Sequence, residues 1–167
     1  MKNILISLFL LVFIYNPLIW SQSSETSERS TQQKENSKNL FLENESKYDF
    51  DETVEKLKTE AEKKTWKIIA THDLQESLKK NGKEVLPVMV LALCHPKHSG
   101  KILEKDNERL VSSMMPCRVS VYQKSNGKTY ISRMNSAAMA YNFDGVIRQV
   151  MTESTAEIEE IIKSLIQ

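Results

Sequence analysis

The sequence predicts an α+β domain of two layers, a mostly antiparallel sheet with helices packed on one face, in the order strand, helix, strands, helix. Three observations predict it. An amphipathic helical stretch sits between two short strand-like runs. Two alternating runs flank an Asn-Gly pair, the strongest short hairpin signal. A long helical pattern fills the C-terminal end.

Each element has its own signal. "NLFLENE", from residue 39, reads as an edge strand. In "YDFDETVEKLKTEAEKKT" Asp49 and Glu52 have capping-box spacing, and Phe50, Val54, Leu57 and Ala61 fall on one stripe. "WKIIATH", Trp66 to His72, is a strand. Asp73 with Glu76 repeats the capping spacing for a short helix that Asn81-Gly82 ends. "PVMVLALC", Pro87 to Cys94, is continuously apolar, as in a strand covered on both faces. Pro96 suits the first position of a helix running to about Lys105.

"CRVSVYQK" and "KTYISRMN" form the hairpin. A two-residue loop at Asn126-Gly127 pairs Val121 with Ser132 and Val119 with Met134. It places Cys117, Val119, Val121, Tyr130 and Met134 on one face, and Arg118, Ser120, Tyr122 and Arg133 on the other. From Ser136 to Ile166 the pattern is helical, with one stripe through Met139, Phe143, Val146, Ile147 and Val150, continued by Ile158, Ile161, Ile162 and Leu165. Ser154 with Glu157 is a third capping spacing and predicts a break near Thr152.

The chain has 167 residues, room for one domain behind an N-terminal leader. Lys2, the apolar run Ile4 to Tyr15, Pro17 and the small residues Ser21 and Ser23 predict a signal peptide over 1–21 and an exported protein, periplasmic or extracellular. Left uncleaved, Ile4 to Trp20 is a marginal membrane anchor, the one route to a membrane partner. Residues 22–38 are polar and aperiodic, a disordered tether, and 39–167 form the single α+β domain. With 23 Lys plus Arg against 22 Asp plus Glu, no clustered basic excess marks a nucleic-acid binder. Two cysteines are too few for a disulfide scaffold.

The chemistry concentrates in "LALCHPKHSG", where Cys94 precedes His95 and His98 follows one turn later. If the strands ending at Cys94 and beginning at Cys117 are antiparallel neighbours, the two cysteines approach within disulfide range. Four readings fit: small residues at a strand–helix junction, a disulfide, a soft-metal site, and a reactive thiol at a helix start. The metal site uses Cys94, His98 and Cys117, with His95 or Met114, and favours Cu or Zn. His98 is expected to face the two thiols from the first turn of its helix. No Gly-rich phosphate loop or Gly-x-Ser-x-Gly is present, and no catalytic residue is assigned.

From Tyr48 to Thr129 the chain resembles the domain of unknown function 302 family. The resemblance rests on "YDFDETVEKLKTEAEKKTWKIIATHDL", "LALCHP" and "MMPCRVSVYQKSNGK", above all on Cys94-x-Pro96 and Pro116-Cys117-Arg118, with Asp73 at the short helix. It implies a TATA-binding-protein-like fold and a homodimer, and it transfers no activity. The leader, the tether and His98 depart from many relatives. The uncovered face of a two-layer fold independently calls for a partner subunit over the apolar strand. The expected function is therefore an exported homodimeric module binding a small ligand. Its alternative is a thiol-based redox or soft-metal-binding protein using Cys94 and Cys117.

Overall fold

The computed structural model describes residues 40–167, so the signal-peptide and tether readings lie outside the described residues. Five strands make one antiparallel sheet: β1 (Phe41–Glu45), β2 (Lys67–Asp73), β3 (Val88–Cys94), β4 (Cys117–Gln123) and β5 (Thr129–Met134), in the spatial order β1-β5-β4-β3-β2. Around them lie α1 (Phe50–Lys63), α2 (Leu74–Lys79), α3 (Pro96–Leu103), a 3₁₀ helix (Glu108–Met114), α4 (Ser136–Ala140) and α5 (Gly145–Ile162). The expected α+β class holds, and β1 is the expected edge strand. Among the described residues no helix is long and apolar enough to cross a membrane.

Local chemistry sets the helix ends. The Asp49 carboxylate accepts the Glu52 N–H at 2.9 Å and starts α1; Asp73 accepts from Glu76 at 2.8 Å and starts α2. At the far end of α1, the Thr65 N–H reaches the Glu62 carbonyl and the Trp66 N–H reaches Ala61, closing a Schellman motif. Its left-handed position, usually glycine, is Thr65 with φ +64°. A β-branched residue there is strained.

Two apolar clusters follow. The main core joins α1 and α5 to one face of the sheet through Leu57, Leu91, Val119, Ile131, Ile161 and Ile162. A smaller one gathers Ile102 of α3, Val111 of the 3₁₀ helix and Val150 of α5, with Phe143 and Ile147 against them. On the opposite face of β3 only Ala92 is buried; Val88 and Val90 are half-buried. The apolar run is thus fully covered on the helix side alone.

The structure corrects the hairpin register. Lys124 and Lys128 are still paired through the backbone, so the loop is Ser125-Asn126-Gly127, three residues rather than two. Gly127, at φ +77°, supplies the left-handed position that a three-residue loop requires. Val121 consequently pairs with Ile131 and Val119 with Arg133. A one-residue slip turns every side chain over. Thr129, Ile131 and Arg133 face the helices, and Tyr130 and Met134 lie on the open face.

The long C-terminal helix also breaks elsewhere than expected. It runs unbroken through Thr152 and Ser154, and the interruption falls at residues 141–144, between α4 and α5. Ser154 donates to the Met151 carbonyl within the helix instead of capping a new one. The Asp144-Gly145 pair, with Gly145 at φ +58°, marks the real turn.

Gly127→Ala tests the loop. A Cβ at this position meets nothing within 4 Å, so the cost is that of the left-handed backbone alone. We expect a loss of about 1–2 kcal/mol in urea unfolding, with Gly127→Asn recovering part of it.

Candidate functional site

β3 delivers Cys94 and β4 delivers Cys117 to the same end of the sheet, where Leu93 is the register partner of Cys117. Both thiols are free and border a cavity of about 240 Å³. The cavity lies where the two apolar clusters meet: Leu93 and Cys117 on the sheet side, Ile102, Val111 and Val150 on the helical side. Five of the seven methionines of the chain line it: Met114, Met115, Met134, Met139 and Met151. Among the described residues no Asp, Glu or Lys does.

The two cysteines have different surroundings. The Ser99 hydroxyl donates to the His95 carbonyl at 3.0 Å, so its oxygen is left to accept from the Cys94 thiol 2.9 Å away. Burial, and then the neighbouring Cys94, push the Cys117 thiol up to about 11. At pH 7.5 fewer than about one Cys117 in a thousand is thiolate. Both sulfurs are free, and burial holds the Cys117 thiol protonated.

Both histidines border the cavity; His98 turns toward Glu153 and Glu157 of α5, and His95 toward Thr65. His98 is buried, with its ring 4.8 Å from that of His95 and 5.9 Å from that of Trp66. Its Nε2 lies 3.1 Å from Glu157 Oε1, an ion-pair contact rather than a well-aligned hydrogen bond. Trp66 Nε1–H donates to the other Glu157 oxygen at 2.9 Å. The strained Thr65 shares a 2.8 Å hydrogen bond with His95 Nε2, which ties the helix end to the imidazole. Burial lowers the pKa of His95, helped by His98 beside it. Burial alone would raise that of Glu157, but contacts from His98 and Trp66 hold it below the usual carboxylate range.

Cys94, His95, His98 and Cys117 therefore share a neighbourhood without closing around one point. Among the described residues no group of three or more His, Cys, Asp or Glu side chains is placed to hold a metal ion. Sequence reasoning missed Glu157, which it read as part of a cap, and Trp66, which it read as a strand residue. The available signal was negative: a Ser-x-x-Glu spacing inside an unbroken apolar stripe is a weak stop. His72 is exposed at the end of β2, away from the cavity lining.

Comparison with known proteins agrees with this architecture. The family model described as "Domain of unknown function DUF302" matches residues 42–166. A solved structure titled as an uncharacterized conserved protein DUF302 from Bacillus stearothermophilus superposes with a TM-score of 0.67 at 19% identity. The superposition covers 74% of this chain and 96% of that one. No curated protein matches the chain.

The histidine corner predicts acid sensitivity. The folded pKa of His95 is depressed, so its contribution is complete above the ordinary imidazole value near 6.5 and is lost as pH falls through the lower folded value. That of Glu157 is complete above about 4.5 and is lost below its own depressed value. Calorimetric melting midpoints should fall between pH 7.5 and 5.5, and His95→Gln should flatten that interval. A wild-type midpoint constant across it would refute the assignment.

Proposed function

The chain belongs to the DUF302 family, and from the geometry of its cavity we propose that it is an exported binding module, working as a homodimer, that holds a small apolar ligand. The observation that carries this is the methionine-lined cavity between the sheet end and the second helical cluster. Thioether side chains are polarisable and reshape easily, which suits a surface that accepts apolar guests. The volume of about 240 Å³ exceeds the ~150 Å³ apolar cavity known to take up benzene.

Export is supported by the sequence of residues 1–21, and dimerisation by the open sheet face. On that face Phe41 and Met134 are register partners and both are exposed, at 53% and 43%. Half-buried Val88 and Val90 lie on the same side. A second copy is the occupant that supplies the matching surface.

The rival reading, a thiol-based redox or soft-metal protein using Cys94 and Cys117, has one observation in its favour. Both thiols are free beside the cavity. The high pKa of Cys117 and the missing third ligand weigh against it.

Trp66 lines the cavity and reports on its contents. Titration with 1-octanol should shift its emission saturably. Val150→Phe, which fills the space, should weaken that binding at least tenfold, about 1.4 kcal/mol. A non-saturating response in the wild-type protein defeats the reading. Dimerisation has a separate check: light scattering at micromolar concentration should give twice the chain mass, and Phe41→Glu should return it to one.

A further inference from the structure

We propose that the cavity takes an apolar molecule carrying a single carboxylate, and that Arg118 recognises the anion. This rests on the binding-module reading and names the class of its ligand.

The argument begins with charge. Every other arginine among the described residues has a partner. Arg109 reaches Asp106, Arg133 reaches Glu159, and Arg148 reaches Asp144. The Arg118 side chain has no hydrogen bond or ion pair among the described residues. It borders the cavity, whose lining contains no carboxylate to neutralise it. Apart from His95 and His98, it is the only charge-bearing residue of that lining among the described residues.

Position supports the same assignment. Arg118 follows Cys117 at the start of β4, opposite Ala92, and it is exposed, so its guanidinium belongs to the rim and not the floor. It also borders a smaller adjoining cavity of about 40 Å³, together with Met134 and Ser136. The other two charges there, Arg133 and Glu159, are committed to each other. The pair of spaces thus presents an apolar interior, one uncommitted cation at the edge, and the hydroxyls of Ser113 and Ser136 nearby.

A carboxylate fits that set. The guanidinium fork donates to both carboxylate oxygens in its plane, which fixes the orientation of the ligand. The apolar tail then displaces water from the methionine-lined interior. An amine would bring a second cation to a rim whose nearest acid, Glu159, is already taken by Arg133. A phosphate dianion would find one fixed positive charge and no backbone cradle.

The test compares three probes of equal length on the full chain at pH 7.5, octanoate, 1-octanol and octylamine, by calorimetry with Trp66 emission in parallel. Octanoate should bind at least tenfold more tightly than 1-octanol, and octylamine more weakly than either. Arg118→Gln should abolish the preference for octanoate and leave 1-octanol binding unchanged, which also shows that the variant is folded. Arg118→Lys should keep only part of the preference. Equal affinity for octanoate and 1-octanol, or a preference that survives Arg118→Gln, overturns the role of Arg118 and leaves the apolar-ligand reading standing. Failure of all three probes to bind overturns both.

Discussion

Everything in this fold depends on one helix serving two cores. The eighteen residues of α5 span about 27 Å. Its last turns place Ile158, Ile161 and Ile162 against the sheet, and its first turns place Val150 in the smaller cluster with Ile102 and Val111. A single apolar stripe cannot curve around both, so a gap opens where the helix passes from one to the other. Ser154 sits in that interval and lines the cavity. The cavity thus lies along the path of the helix, between the two clusters.

Acidic residues on the same helix fix that path. Glu153 holds Lys101 of α3 at 2.9 Å. Glu157 takes the Trp66 indole and contacts His98. Glu159 pairs with the buried Arg133 of β5, whose remaining donor reaches Asn44 of β1 at 2.6 Å. Leaving a buried guanidinium unpaired costs roughly 3–5 kcal/mol, so Arg133 specifies the helix position more sharply than apolar contacts do. These side chains lie at intervals of two to four residues, which ties α5 to α3, to β2 and to β5. The cavity wall is therefore held by polar contacts, while its lining stays apolar and adaptable.

How much of this the sequence disclosed follows from which signals are local. Asp49, Asp73 and Pro96 act on residues three or four positions away, and the helix starts they predict are found. The apolar run to Cys94 and the alternation from Cys117 predicted neighbouring strands, because period and length are also local properties. The hairpin failed by one residue. Asn-Gly serves both two- and three-residue loops, and the observed register is the one that turns Arg133 toward Glu159. The Ser154 spacing misled for a similar reason, since Glu157 found partners 59 and 91 positions away. Cys94, His95, His98 and Cys117 all border the cavity, but the direction of each imidazole is a tertiary fact. Of the cavity itself little was legible, because its methionines come from four separate stretches of chain.

The two faces of the sheet are less independent than a two-layer description implies. Met134 and Arg118 belong by strand alternation to the open face, yet both border the cavity, because the ends of β4 and β5 lie at its rim. Met134 is also the register partner of exposed Phe41. A second copy seated on the open face would thus stand against the same rim that receives the ligand. Burying Phe41 and Met134 would lower the local dielectric around the Arg118 guanidinium, which strengthens its attraction for an anion and raises the cost of leaving it unpaired. In such an assembly, ligand and partner would stabilise one another through Arg118. An empty dimer would carry a desolvated, uncompensated cation, so the proposed carboxylate binding and association would be coupled in sign before any conformational change is invoked.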